Sequence, residues 1–427
     1  MSETELLEFV TAQRWFGAKG REAIGASVLD RTELEGGLAI LLVEVRYATG
    51  SHDVYQLVIE DPSGDELLGT PELALSLARL LQDGGAATDE PGTLEFFSLG
   101  NLGAMPLTAR AVATEQSNSS VVLDERLVLK VYRRLEAGVN PELELLRFLA
   151  LHEFSNVPEL LGWWNYNSPL METTLGTAQR FVPDAVDGWS LAMADLPARP
   201  EAFLEPIARL GEVIGAMHAV LASDTEDPAF APEDASPEML ALLRATLDDE
   251  IQGVFEHLPA DETVAPIAGC GDAVRDLLGE LTTIGSIGKV TRHHGDLHLG
   301  QALRAEGDWF LVDFEGEPAR SLAERRVKRS PLRDVAGMLR SFAYACRVAG
   351  CKRDEVEQRA RDLFLSGYLP IAESAGILPA AAQVERLIEI FELEKAVYEL
   401  RYELSHRPDW VHIPVAGIES LLAHTSS

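Results

Sequence analysis

Apolar positions along the chain change period about two-fifths of the way from the N-terminus. Leu6 to Phe16 spaces its apolar residues as a helix does and runs into a basic aromatic turn, Gln13-Arg-Trp-Phe-Gly-Ala-Lys-Gly-Arg21. Leu38 to Tyr47 and Asp53 to Ile59 predict two strands joined by a Gly-containing turn. Pro71 to Leu81 predicts a short helix, and Pro91 to Met105 is Gly-rich and weakly patterned, which suggests a boundary. Arg126 to Tyr132 alternates as a strand and carries Lys130. A helix is expected from Asn140-Pro141, with Pro at its first position. Strand-like pieces at 155–164 and 177–184 follow, the second running into a Pro-broken linker. Beyond this point helical spacing dominates: 202–222, a stretch ending near 281, 334–342 and 387–404. The exception is Trp309 to Val312, a short apolar strand. The pattern predicts an α+β chain in three parts: a small unit at 1–105, a β-rich part at 106–184 and a mostly helical part at 185–427.

Composition narrows the classes of partner. The 427 residues include 69 acidic and 36 basic side chains, a formal net charge of −33. Such a field repels nucleic-acid backbones and argues against DNA or RNA as a partner. A pocket with a few local cations still accepts a nucleotide. No run approaches eighteen apolar residues, so no membrane partner is expected. Cys270, Cys346 and Cys351 match neither a disulfide framework nor a spaced zinc site. With no basic-then-apolar leader in Met-Ser-Glu-Thr-Glu-Leu-Leu-Glu, the expectation is a cytoplasmic chain, with a monomer favoured.

The candidate chemistry centres on Arg292-His-His-Gly-Asp-Leu-His-Leu-Gly-Gln301 and Trp309-Phe-Leu-Val-Asp-Phe-Glu-Gly-Glu-Pro318. An Asp in a polar loop, an amide five residues on and an Asp ending the next strand form a phosphoryl-transfer layout. In that layout Asp296 orients or deprotonates a hydroxyl, while Gln301 and Asp313 hold Mg²⁺ against ATP. Upstream, Glu115-Gln-Ser-Asn-Ser-Ser120 precedes the strand of Lys130, as a phosphate-covering loop precedes a phosphate-pinning lysine. The loop has no Gly-x-Gly-x-x-Gly, so Ser117, Asn118, Ser119 and the backbone amides would do the covering. Glu144 is the expected ion-pair partner of Lys130, with Glu142 competing. His218 reads as a packed or capping histidine and His294 as a brace for its loop. His298 either lines the acceptor site or caps a helix. A metal contact, a hydroxyl contact and an arginine ion pair all stay open for Glu315 and Glu317. The basic run Arg325, Arg326, Lys328 and Arg329 is either a solvated helix edge or an anion attractor. Arg333, Asp334 and Arg340 could brace the loop from behind. On the helix at 387–404, Glu394 and Tyr398 share one face, and Lys395 and Glu399 the adjoining one.

Together these blocks resemble the aminoglycoside-phosphotransferase branch of kinases, and more closely the maltokinase-like and glucosamine kinases of actinobacteria. The carriers run the length of the chain: Gln13-Arg-Trp-Phe, Glu115-Gln-Ser-Asn-Ser-Ser, Leu129-Lys-Val-Tyr and His294-Gly-Asp-Leu-His-Leu-Gly-Gln. Asp313-Phe-Glu-Gly-Glu-Pro, Ser330-Pro-Leu-Arg-Asp-Val-Ala-Gly-Met-Leu-Arg-Ser-Phe, Leu393-Glu-Lys-Ala-Val-Tyr-Glu and His406-Arg-Pro-Asp-Trp continue the series. Gln301 departs from the Asn usual in the branch, by one methylene. The resemblance implies a bilobal protein-kinase-like fold with an N-terminal cap subdomain, ATP as co-substrate and Mg²⁺. It places Glu394, Tyr398 and Trp410 beside the acceptor sugar, with Asp296, His298, Glu315 and Glu317. Both branches share these blocks; Asp308 before Trp309, an added carboxylate for an amine, and an N-terminal unit short for a maltokinase cap tilt the expectation to glucosamine giving glucosamine 6-phosphate. The alternatives are maltose giving maltose 1-phosphate, an aminoglycoside acceptor, and a kinase-like binding protein without turnover.

Overall fold

The computed structural model describes residues 2–425 apart from 62, 90, 101, 113–116, 319 and 352. The chain divides into two compact units: Met1–Asp184 with Glu317–Arg325, and Ala185–Gly316 with Arg326–Ser427.

The first unit opens with α1 (Glu3–Ala12), started by a capping box. The Ser2 hydroxyl accepts from the Glu5 amide (3.3 Å), and the Glu5 carboxylate takes the Ser2 amide (2.7 Å). Strands β1 (Ala23–Leu34), β2 (Leu38–Tyr47) and β3 (His52–Glu60) follow as an antiparallel meander. After α2 (Leu73–Asp83) come β4 (Gly85–Asp89), β5 (Gly92–Ser98), β6 (Ala109–Ala111), β7 (Ser119–Leu123), β8 (Leu127–Val131) and β9 (Arg134–Leu135). Helix α3 (Pro141–Leu151), β10 (Leu160–Asn167) and β11 (Glu172–Arg180) complete the unit. The larger sheet runs β4-β5-β10-β11-β8-β7-β6, and the smaller one β1-β2-β3-β9.

The apolar run of β2 reads as near-continuous because both its faces are covered. Ala39, Leu41, Val43 and Val45 pack with Leu6, Val10, Trp15 and Phe16. On the other face Leu38, Ile40 and Leu42 join a core with Val121, Leu129, Trp164 and Leu175. Gln56 of β3, wholly buried, donates to the carbonyls of Tyr132 (2.8 Å) and Leu175 (2.7 Å). The boundary expected near residue 105 is therefore corrected. Strands β4 and β5 lie in the sheet of Lys130, and the N-terminal strands share its core. The Gly-rich composition of 91–105 concealed β5. The sequence pattern also missed β1, in which apolar Ile24, Val28 and Leu29 are exposed while Ala26, Asp30 and Thr32 are buried.

In the second unit α4 (Ile207–Leu221) precedes a hairpin of β12 (Ala302–Ala305) and β13 (Asp308–Leu311). Trp309 anchors that hairpin, fully buried with its indole N–H on the Pro206 carbonyl (3.0 Å). Helices α5 (Leu332–Val348), α6 (Arg353–Ser374) and α7 (Ala381–His406) follow. Three carboxylates of α7 are buried, and each meets an arginine: Glu392 with Arg361, Glu394 with Arg333 and Glu403 with Arg407. Burying a carboxylate is tolerable only when it is paired, so these bridges fix the rotation of α7. No helix among the described residues is long and apolar enough to cross a membrane.

Candidate active site

The loop around Asp296 is shaped by one buried carboxylate behind it. Asp334, in the first turn of α5, accepts the backbone N–H groups of His294 (2.7 Å, Oδ2) and Gly295 (2.9 Å, Oδ1). Its Oδ2 also meets His218 Nε2 from α4 (3.0 Å), and His218 Nδ1 meets the Tyr368 hydroxyl (3.0 Å). Burial pushes the Asp334 carboxyl up, but neighbouring His293 and the His218 hydrogen bond outweigh it and hold it below the usual carboxylate range. Burial likewise drives His293 down to about 4, so it is neutral at physiological pH. The backbone turns at Gly295 with φ +89°, where a Cβ would also come within 3.2 Å of Gly316 Cα. His294 Nε2 lies 2.9 Å from the Val312 carbonyl, which accepts only, so the proton sits on Nε2. Nδ1 is then an acceptor, facing the Asp296 amide at 3.4 Å. His294 braces the loop, as expected.

Asp334 thus performs the bracing, whereas Arg333 and Arg340 are paired with carboxylates of α7. Arg333 pairs with Glu394, and Arg340 with Glu399 (2.7 Å). The Asp296 carboxylate is met from α7 by Lys395, whose Nζ stands 3.2 Å from Oδ1. This contact was not legible beforehand. Helical periodicity puts Lys395 beside the Glu394 face and says nothing about what that neighbouring face touches.

At the other end of the constellation Gln301 Nε2 donates to Asp313 Oδ2 (2.8 Å), and Asp313 and Glu315 present carboxylate oxygens within 4.8 Å of one another. Asp313 has φ +64°, a left-handed conformation that a non-glycine residue holds only under constraint and that recurs at functional sites. Oxygen donors so gathered suit a hard cation such as Mg²⁺, which Gln301, Asp313 and Glu315 would hold. His298 makes a cap: its Nδ1 accepts from the Gly300 amide (3.0 Å), and burial lowers its pKa.

Several acidic candidates for the acceptor have arginine partners. Asp308 is gripped by Arg209 through both oxygens (2.9 Å each), and Glu317 by Arg320 (2.6 Å). Tyr398 lies beneath Lys395 (4.8 Å) and Arg401 (5.4 Å). Trp410 joins an aromatic cluster with Trp189 (6.1 Å) and Tyr344 (6.2 Å). The basic run is divided: Arg325 pairs with Glu136 (3.0 Å), and Lys328 donates to the Pro228 and Ala231 carbonyls and to Glu233. A trough of about 760 Å³ bordered by α6 and α7 is lined by none of the candidate site residues.

In the first unit Lys130 Nζ lies 2.9 Å from Glu142, whose carboxylate also takes the Tyr132 hydroxyl (2.8 Å). Glu142, the competing candidate, is therefore an ion-pair partner of Lys130. Asn140 caps α3 through the Glu142 amide (2.8 Å), and this orients the side chain of Glu142 toward β8. Of the loop, Glu115 and Gln116 lie outside the described residues. Ser117 is exposed, but Asn118 and Ser119 are corrected: both are buried and turned to Arg133. The Asn118 side-chain oxygen accepts the Arg133 amide (3.3 Å), and the Ser119 hydroxyl accepts Arg133 Nε (2.6 Å). Arg133 also reaches the Gln56 carbonyl (3.2 Å) and Glu66 (2.5 Å). No sequence signal distinguished Arg133 from an ordinary surface arginine.

A lysine–glutamate pair beside a polar loop and a clamped His-x-Asp loop with a following Asp are the parts of a phosphoryl-transfer enzyme. The phosphotransferase enzyme family matches residues 108–342 and the maltokinase N-terminal cap domain residues 9–71; the chain belongs to the phosphotransferase enzyme family. More particularly, it is 30% identical to the glucosamine kinase of Mycolicibacterium smegmatis over 93% of this chain and 99% of that one. It is 28% identical to the glucosamine kinase of Streptacidiphilus jiangxiensis, over 83% and 81% of the two chains. A solved glucosamine kinase in complex with glucosamine, ADP and inorganic phosphate shares the fold at TM-score 0.71 and 23% identity, covering 97% of this chain and 99% of that one. A solved glucosamine kinase in crystal form B gives TM-score 0.75 at 23% identity, with 98% of this chain and 99% of that one covered. The protein-kinase-like fold with an N-terminal cap is thereby established.

Proposed function

We propose that the chain is an ATP-dependent glucosamine kinase that transfers the γ-phosphate to the sugar 6-hydroxyl. The observation that carries the chemistry is the Asp334 clamp, which holds Asp296 in a fixed loop with Gln301, Asp313 and Glu315 in the same unit. The acceptor follows from the two glucosamine kinases that align along most of this chain.

In this reading the 6-hydroxyl oxygen attacks the γ-phosphorus as the bond to the leaving ADP oxygen breaks, and the hydroxyl proton passes to the Asp296 carboxylate. Lys130, oriented by Glu142, holds nucleotide phosphates. Gln301, Asp313 and Glu315 would hold Mg²⁺, which would supply charge neutralisation on the phosphates. Asp308, Glu317 and Glu394 are engaged by arginines, so a contact with the substrate amine through any of them would share a carboxylate that already has a cationic partner. Maltose is the second acceptor to weigh, because residues 9–71 match the maltokinase cap.

The test is ADP release from Mg-ATP with glucosamine, glucose, maltose or an aminoglycoside. The proposal expects turnover with glucosamine and little with the others; turnover of maltose alone would remove it.

A further inference from the structure

The proposed mechanism leaves unexplained a cation lying directly against its proton acceptor. Lys395 Nζ stands 3.2 Å from Asp296 Oδ1, with side-chain exposures of 22% and 27%. Exposed lysine–carboxylate pairs contribute little, because water competes and the flexible side chain loses entropy on being fixed. Here that entropy is largely removed in advance. One residue before Lys395, Glu394 is buried on Arg333, and one turn later Glu399 is bonded to Arg340 (2.7 Å). These bridges set the register and rotation of α7 where Lys395 leaves it. The ring of Tyr398, one turn along, lies 4.8 Å from Nζ, a cation–π distance that further directs the ammonium.

The surrounding charge gives the contact a purpose. Asp296, Asp313 and Glu315 place three carboxylates in one segment of a chain with net charge −33. Burial lowers the pKa of His298, in the same loop. An ammonium at Oδ1 fixes which oxygen of Asp296 points toward α7 and leaves Oδ2 for the acceptor hydroxyl.

We propose that Lys395 is a positioning residue for the reaction, holding the Asp296 carboxylate by Oδ1 in the rotamer that receives the acceptor proton. This rests on the reading of Asp296 as that proton acceptor. Lys395 thereby acts through Asp296, which a lysine that only supports its own helix would not do.

The test uses the full chain with Mg-ATP and the acceptor sugar it turns over, comparing Lys395→Met, Lys395→Arg and Asp296→Asn. Lys395→Met is expected to lower kcat about tenfold or more with KM for ATP within about twofold, at unchanged melting temperature. Lys395→Arg, which keeps a cation within reach of Oδ1, is expected to recover most of that loss. An unchanged kcat in Lys395→Met, or no advantage of Arg over Met, overturns the proposal while Asp296→Asn remains inactive. Retained turnover in Asp296→Asn instead overturns the reading beneath it.

Discussion

Replacing Asp334 by Asn tests how the loop that carries Asp296 is held. The carboxylate accepts two backbone N–H groups and His218 at 2.7 to 3.0 Å, with only 2% of the residue exposed. Asparagine has nearly the same shape but a single acceptor oxygen. Whichever way the amide turns, its NH₂ confronts a donor: the Gly295 amide on one side, or the His294 amide and His218 on the other. Hydrogen bonds to a charged group contribute roughly 1.5–3 kcal/mol each, and a stranded buried donor costs a similar amount. Asp334→Asn should therefore destabilise the protein by about 2–4 kcal/mol. If about 2 kcal/mol of this falls on the placement of Asp296 in the transition state, kcat drops about 30-fold. Urea unfolding gives the first quantity, and steady-state kinetics at saturating ATP gives the second. Wild-type stability together with wild-type kcat would refute the clamp. His218→Phe removes one partner from the same carboxylate and should cost less in both measurements.

Two further outcomes follow from buried charges. Glu142→Gln removes the counter-charge 2.9 Å from Lys130 at a site where the two side chains are 9% and 2% exposed, and should cost about 3 kcal/mol of stability, read by chemical denaturation, and raise KM for ATP. His293, whose pKa burial lowers from 6.5 to about 4, binds its proton more weakly folded than unfolded. Its contribution is complete above pH 6.5 and is lost as pH falls toward 4, on the order of 3 kcal/mol. Unfolding midpoints between pH 7 and 4 should show this slope in the wild type and a shallower one in His293→Gln.

The elements with a clean period were legible in the sequence. The β2 run, the Asn140-Pro141 helix start, the Trp309 strand and the long C-terminal helix all stand where spacing put them. The catalytic loop was legible because its chemistry is local: Asp296, Gln301 and Asp313 lie within eighteen residues. What escaped depends on partners far apart in the chain. Glu142 and Glu144 are equivalent in composition, and only the rotation of α3 selects Glu142 for Lys130. The polar loop looked like a row of phosphate contacts, yet Asn118 and Ser119 turn inward because Arg133, wholly buried, needs oxygen partners. Acidic residues near the motif suggested an amine site, and Asp308 instead finds Arg209 nearly a hundred positions away. Charge pairing over such separations has no periodic signature.

The most direct test of the account is Asp296→Asn, assayed for turnover with the acceptor sugar and for equilibrium ATP affinity. A carboxylate that receives the acceptor proton predicts loss of turnover by about a thousandfold with ATP affinity within about twofold of wild type. Parallel loss of ATP affinity would contradict it and assign Asp296 to the nucleotide or its metal.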